Sequence, residues 1–133
     1  LDMTLRDNLK LGNKKSTDER LIRMLEASGM SEWLHSLETG LDTLLGERGV
    51  FVSTGQRQRL NLIRGLLIEK EIYLLDEPTS NVDDRTEEKM IQLIASVLAG
   101  KTVIVVTHRD KIREICNREY LFCNNRMEEC RKE

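Results

Sequence analysis

Long apolar runs are absent from this sequence of 133 residues. The longest uninterrupted ones, such as residues 103–106, have the length of a strand, whereas crossing a bilayer takes about 20 apolar residues. We therefore expect a chain that does not itself span a membrane. No secretory signal opens it, and Leu1 stands where an initiator methionine would, so we expect a cytoplasmic piece of a longer polypeptide.

An excess of charge of one sign is also absent. Lys and Arg number 21 and Asp and Glu number 23, so electrostatics give no reason to expect a nucleic acid as partner. The three cysteines, Cys116, Cys123 and Cys130, lack the paired spacing of a zinc site or a disulfide framework. We expect free thiols in a reducing compartment.

The hydrophobic pattern divides the chain into two parts. Ser16 and Glu19 have the spacing of a capping box that begins a helix, and Ser31 can cap a second short helix. We therefore predict that residues 1–52 form a mostly helical part. Residues 53–133 instead alternate between helix and strand, which is typical of a parallel sheet with crossover helices.

The second part predicts an α/β fold with three parallel strands. Its expected elements are a helix at 53–68, a strand at 72–75, a helix at 84–98, a strand at 102–106, a short helix at 111–116 and a strand at 120–123 that ends at the Asn124-Asn125 turn.

Two adjacent carboxylates, Asp76 and Glu77, follow the apolar run at 72–75. The carboxyl ends of parallel strands are where open α/β sheets bind their ligands. The pair therefore has the pattern of a metal and water site in a nucleotide hydrolase. Residues 72–78 would have the same pattern if they formed only a strand and a polar turn that Pro78 enforces.

A second capping box, at Ser53, Thr54, Gly55 and Gln56, opens the helix at 53–68. The first amides of such a helix, beside a glycine without a Cβ, form a geometry that binds anions. An ordinary capped helix has the same sequence pattern. The order of the motifs along the chain distinguishes the two interpretations.

That order resembles the ATP-binding-cassette (ABC) ATPase family. Val52 to Gln56 match its signature, usually Leu-Ser-Gly-Gly-Gln, residues 72–77 match the Walker B strand, residues 80–83 match the D-loop, and Thr107 with His108 match the switch histidine. The resemblance implies the second half of a P-loop NTPase core together with the helical ABC subdomain.

The resemblance also implies roles in ATP hydrolysis. Asp76 would hold Mg²⁺ through water, Glu77 would act as general base on the attacking water, and His108 would contact the γ-phosphate and Glu77. ATP and Mg²⁺ are thus the expected cofactors of the complete domain.

Catalysis in this family takes two domains in a head-to-tail dimer. The signature residues Ser53, Thr54, Gly55 and Gln56 would contact the ATP that the opposite subunit holds. Asp83 would belong to the loop that passes between the two sites.

A loop that precedes the signature indicates which branch of the family the chain resembles. Gly46, Glu47, Arg48 and Gly49 resemble the loop that in ABC exporters touches the membrane domains, although a solvated turn would have a similar composition. Residues 1–11 resemble the segment that follows the family's glutamine loop. The expected partners are therefore transmembrane domains, at the inner face of the membrane.

A Gly-rich phosphate loop ending in Gly-Lys-Ser or Gly-Lys-Thr is absent. The family's phosphate loop, adenine contact and glutamine loop would all precede Leu1, so the missing N-terminal half of the domain is a further expected partner. We expect the isolated chain neither to bind ATP tightly nor to hydrolyse it. The strand that leads to the phosphate loop would be lost as well, which predicts unpaired apolar edges and self-association.

Two other classes of protein remain open. One is a non-transport ABC ATPase of DNA maintenance or translation, although its signature usually ends in Glu where Gln56 stands and no heptads flank this chain. The other is a non-catalytic interaction module. Retention of Glu77 and His108 argues against a module that has lost catalysis. Thr54, which replaces the first signature glycine, leaves this alternative open.

We predict that Thr54→Gly in a full-length protein raises ATPase turnover. The substitution removes a β-branched side chain where the backbone has to approach a triphosphate closely. Phosphate release under saturating ATP measures the effect. Unchanged or lower turnover would contradict this view of Thr54.

Overall fold

The computed structural model describes residues 3–130, so Leu1 and Asp2 of the predicted 1–11 segment lie outside the described residues. Its helices and strands follow one another in this order: β1 Met3–Thr4, α1 Leu5–Lys10, α2 Asp18–Ala27, α3 Ser31–Ser36, β2 Leu44–Leu45, α4 Thr54–Leu67, β3 Ile72–Asp76, α5 Asp84–Val97, β4 Thr102–Val106, α6 Asp110–Arg113, β5 Glu119–Cys123 and β6 Arg126–Cys130. Gly40–Asp42 adds one turn of 3-10 helix.

The first three helices are short, and two of their starts differ from the prediction. Thr17, not Ser16, caps α2, and its hydroxyl accepts a hydrogen bond from the Arg20 amide at 3.3 Å. Ser16 lies one residue too early because its own amide closes the preceding turn onto the Asn13 carbonyl. The cap of α3 is likewise Met30, one residue before the predicted one.

A two-residue antiparallel ladder closes this helical part. β1 pairs with β2 through Met3 opposite Leu45 and Thr4 opposite Leu44. So short a ladder shows no alternation in the sequence, which explains why it was not predicted. It fixes the start of α1 beside the residues that precede the loop at 46–49.

The core forms around α4, which packs against α1, α2 and α5. Leu60, Ile63 and Leu67 recur at helical spacing and are all buried, so they form one apolar stripe of α4 that faces the core. Trp33 of α3 packs against this core from its edge. The helix that carries the predicted signature is thus also the centre of packing.

β3 and β4 form a parallel pair that the crossover helix α5 connects. Ile72 lies opposite Thr102 at one end of the register and Asp76 lies opposite Val106 at the other. The α/β class is thereby confirmed. The strand bounds agree with the predicted ones, except that β3 extends by one residue to Asp76.

The two faces of this parallel pair differ in what covers them. One face packs its half-buried side chains against the core: Tyr73, Leu75, Val103 and Val105. The opposite face exposes four apolar side chains: Ile72 (64%), Leu74 (75%), Ile104 (52%) and Val106 (61%). We call these four residues the open face.

The prediction of a third parallel strand is wrong for the described residues. β5 pairs with β6 in an antiparallel hairpin, from Glu119 opposite Cys130 to Cys123 opposite Arg126. Asn124 and Asn125, with φ of 49° and 58°, provide the two left-handed positions that a two-residue hairpin turn needs. This turn brings β6 directly beside β5, whereas the family resemblance would place a further strand between β4 and β5.

Two features of the described residues relate to the predictions made from composition. Cys123 and Cys130 are free thiols. Across residues 3–130, no helix combines the length and the apolar character that a membrane span requires.

Candidate functional site

The chain turns sharply where β3 ends. Glu77 has a φ of 45°, in the left-handed region that non-glycine residues seldom adopt. Its amide still donates to the Val106 carbonyl at 2.8 Å, and its carbonyl accepts from the Ser80 amide at 3.2 Å. The backbone at Glu77 is therefore held from both sides, which is how a strained residue persists.

The turn directs the Glu77 carboxylate at His108. Glu77 Oε1 lies 2.7 Å from His108 Nδ1, and the Thr107 hydroxyl lies 3.5 Å from Glu77 Oε2. This contact follows from topology, because parallel β3 and β4 end at the same edge of the sheet. The structure thus brings together the two residues that the sequence nominated as catalytic, with His108 mostly exposed to solvent.

Asp76, the last residue of β3, has an exposed side chain at the same edge. Within residues 3–130, no group of three or more His, Cys, Asp or Glu side chains is arranged to hold a metal. A single carboxylate nevertheless fits Mg²⁺, which usually keeps several waters and takes further ligands from phosphate oxygens.

The predicted signature residues form the capped start of α4. Ser53 and Gln56 make both hydrogen bonds of the capping box, at 2.9 and 3.2 Å. Thr54 is the first helical residue and its side chain is exposed. A Cβ built on Gly55 would lie 3.5 Å from the Asn81 carbonyl, so the signature runs close beside the predicted D-loop.

Gln58, for which the sequence predicted no contact, joins these two segments. Its Nε2 donates to the Glu77 carbonyl at 3.0 Å and to the Ser80 hydroxyl at 2.9 Å. Local spacing could not reveal this contact, because Gln58 and Glu77 are nineteen residues apart and meet only in the fold.

Arg59 secures the other side of the same helix start. Its guanidinium donates to the Gly55 carbonyl and to the Gly29 carbonyl, both at 3.1 Å. Burial lowers the pKa of Arg59, an effect that the nearby Asp83 carboxylate partly offsets. Gly29, at φ 79°, follows the C-cap residue of α2, so Arg59 ties the start of α4 to the helical part.

Asp83 caps α5. Its carboxylate accepts from the Thr86 amide at 3.0 Å and from the Thr86 hydroxyl at 2.7 Å. These hydrogen bonds hold the pKa of Asp83 below its ordinary value. The predicted D-loop residue therefore has a clear local role, which is to fix the point where the loop becomes helix.

A buried carboxylate underlies the site. Glu87 of α5 is 1% exposed and accepts from the Thr79 hydroxyl and from Arg109 Nη1, both at 3.1 Å. Arg109 also donates to the Val82 carbonyl at 3.3 Å. This cluster connects the segment after β3 with the segment after β4, and no local sequence pattern predicts it.

The loop of Gly46, Glu47, Arg48 and Gly49 lies on the surface. Gly46 has a φ of 112°, and a Cβ on Gly49 would collide with the Leu44 carbonyl, so both glycines are required by the backbone. Glu47 lies on the wall of a groove of about 440 Å³. The groove also contacts α1 and α4, through Asn8, Arg57 and Arg64.

The sequence profile described as ABC transporter matches residues 2–80, which is more than half of the chain. The chain belongs to the ABC transporter family. The match includes the signature helix and the Asp76-Glu77 turn.

Relatives of this ABC chain extend well beyond it. It is 35% identical to the Bacillus subtilis ABC transporter ATP-binding protein YwjA over 126 residues, or 95% of this chain and 22% of the relative. It is 42% identical to the Escherichia coli glutathione/L-cysteine transport system ATP-binding/permease protein CydC, over 80% of this chain and 18% of the relative. The chain thus spans about a fifth of the length of these curated relatives.

Two further comparisons point to the same branch of the ABC family. The β-(1→2)glucan export ATP-binding/permease protein NdvA of Agrobacterium vitis is 35% identical over 82% of this chain and 19% of its own length. A solved structure of a bacterial Atm1-family ABC exporter with ATP bound superposes with a TM-score of 0.70 at 28% identity. The superposition covers 82% of this chain and 19% of the exporter chain.

We predict that Glu87→Gln lowers the free energy of unfolding by about 1–3 kcal/mol, the usual effect of losing a buried charge-assisted hydrogen bond. The amide can still accept from Thr79, but it leaves the Arg109 guanidinium without an anion. Urea denaturation of the chain measures the change.

Glu88→Gln is the matched control, because Glu88 neighbours Glu87 on α5 but pairs with Lys111 in solvent. An exposed ion pair contributes about 0–1 kcal/mol. Equal losses of unfolding free energy in the two variants would show that the buried cluster stabilises the chain no more than the exposed ion pair does.

Proposed function

We propose that this chain is the C-terminal part of the nucleotide-binding domain of an ABC exporter, whose complete form couples ATP binding and hydrolysis to transport across a membrane. The observation that carries the proposal is the 2.7 Å contact between the Glu77 carboxylate and His108 at the ends of two adjacent parallel strands. Asp76 lies at the same edge, and the family assignment supplies the reaction.

Hydrolysis needs a water held in line with the γ-phosphate and donors that meet the developing charge. Glu77 orients and polarises this water and accepts its proton. His108 holds the Glu77 carboxylate and reaches towards the phosphate from the end of β4. Asp76 would hold Mg²⁺ through water, and Mg²⁺ would supply positive charge beside the phosphate oxygens.

The start of α4 serves the opposite subunit. Ser53, Thr54, Gly55 and Gln56 contact the ATP that the second nucleotide-binding domain holds in a head-to-tail dimer. The exposure of Ser53 and Thr54 supports this role, because a trans contact requires an uncovered helix start. Asp83 fixes the D-loop that passes between the two sites.

The loop of Gly46, Glu47, Arg48 and Gly49 contacts the transmembrane domains. Its place on the surface supports this, as do the words export and permease in the names of several relatives. The chain then works on the cytoplasmic side, at the inner face of the membrane.

The N-terminal half of the domain is the remaining partner. It supplies the phosphate loop, the adenine contact and the strand that would stand beside β4. The open face supports this proposal, because four exposed apolar side chains on one sheet surface indicate missing coverage.

The catalytic proposal is tested by joining this chain in frame to the phosphate-loop half of an ABC ATPase domain. The joined domain is expected to hydrolyse ATP with Mg²⁺, and Glu77→Gln should lower kcat by about 10² to 10⁴-fold, because the amide cannot accept the proton. Glu88→Gln is the control and should keep the rate.

The chain alone should neither hydrolyse ATP nor bind it with micromolar affinity in calorimetry, because the phosphate loop is elsewhere. Tight binding by the chain alone would contradict the proposed division of the site. Wild-type rates from the Glu77→Gln joined domain would contradict the role of Glu77.

We also predict that the isolated chain self-associates through the open face. Burying Leu74 and its neighbours against a second copy removes apolar surface from water, which a charged side chain there would oppose. Light scattering should give a mass above that of a monomer for the wild type and a mass nearer the monomer for Leu74→Lys.

Leu121→Lys is the matched control, since Leu121 is an exposed leucine (57%) of the separate β5–β6 hairpin. It should leave the mass unchanged. A monodisperse wild-type monomer, or equal effects of the two lysines, would contradict association through the open face.

A further inference from the structure

Gln58 makes an unusual pair of contacts for a residue of the signature helix. It lies one helical turn after Thr54, and its half-buried amide donates both to the Glu77 carbonyl and to the Ser80 hydroxyl. A single side chain of α4 therefore contacts the backbone of the catalytic turn and a side chain at the start of the D-loop.

The orientation of the Gln58 amide follows from its partners. The Glu77 carbonyl can only accept hydrogen bonds, so the Nε2 group must face it. Gln58 Oε1 is buried on the other side, without a hydrogen-bond partner. A buried unpaired acceptor is costly, so the structure keeps the donor contacts to Glu77 and Ser80 at the expense of that oxygen.

These contacts act on the strained point of the turn. The Glu77 carbonyl receives the Gln58 amide in addition to the Ser80 backbone amide, which fixes the peptide plane that follows Glu77. With φ at 45°, this peptide has few alternative positions that would keep the carboxylate on His108. A loss of the Gln58 donor leaves the plane with one hydrogen bond fewer.

We propose that Gln58 is a positioning residue that transmits the position of the signature helix to the catalytic carboxylate of the same chain. The inference rests on the proposed roles of Glu77 as general base and of the signature as a trans contact to ATP. When the start of α4 is drawn towards the nucleotide of the opposite subunit, Gln58 carries that shift to the Glu77 peptide. Occupancy of one site is thereby sensed at the other.

Hydrogen exchange tests the contact in the chain itself. Gln58→Met keeps the length and packing of the side chain but removes the donor, so the amides of Glu77 and Ser80 should exchange about tenfold faster, the effect of one lost hydrogen bond. Amides of β4 and α2 should keep their wild-type rates. Gln92→Met is the matched control, because Gln92 is exposed on α5.

Kinetics of the joined domain test the functional part. Gln58→Met should lower kcat about tenfold while the KM for ATP stays within about twofold, because positioning of the base is lost but nucleotide binding is kept. Gln92→Met should change neither constant. A residue that only stabilised the fold would not separate kcat from KM in this way.

The outcomes separate this inference from the proposed function. An inactive wild-type joined domain would overturn the proposed function, whereas the exchange experiment on the chain would still decide whether the contact exists. Unchanged exchange at Glu77 and Ser80, or faster exchange spread evenly over β4 and α2, would overturn the role of Gln58. A wild-type kcat in the Gln58→Met joined domain would overturn it as well.

Discussion

The buried carboxylate of Glu87 is the constraint on which the site depends. Its oxygens are shared between Thr79, in the segment after β3, and Arg109, in the segment after β4. A buried charge is tolerated only when it is paired, so the two segments are bound to α5 and therefore to each other. Glu77 lies two residues before Thr79, and His108 lies one residue before Arg109. The contact between Glu77 and His108 therefore depends on both of these anchoring residues.

The helix α4 gives the site its second support. Its buried stripe forms the centre of the core, while its first turn carries the signature residues and its next turn carries Gln58. A rigid, well-packed helix transmits a displacement along its length, because close packing does not absorb a shift at its start. The packing of the core, the predicted signature and the contact to the Glu77 turn are thus combined in one element.

Sequence reasoning succeeded where the information is local. The bounds of β4 were correct, and those of α4 and α5 were close, because capping residues and hydrophobic spacing mark these elements directly. The meeting of Glu77 with His108 was also predictable, since motif order together with parallel pairing implies it. The family resemblance, not the composition, supplied the chemistry.

What was missed depends on contacts between distant residues. Gln58, Glu87 and Arg109 are polar residues in helices or loops, and only the fold reveals that they are partners. β5 was assigned to the parallel sheet because its own residues do not show which strand it pairs with. In the structure the Asn124-Asn125 turn pairs it with β6. The misplaced cap at Ser16 shows the same limit at the scale of a single residue.

The left-handed backbone at Glu77 also restricts how this turn can change in evolution. Any replacement of Glu77 has to accept a φ of 45°. Valine, isoleucine and threonine are excluded by their branched Cβ, whereas glycine, asparagine and aspartate enter this region readily. A substitution of Glu77 that preserves the shape of the turn is therefore limited to a few residue types.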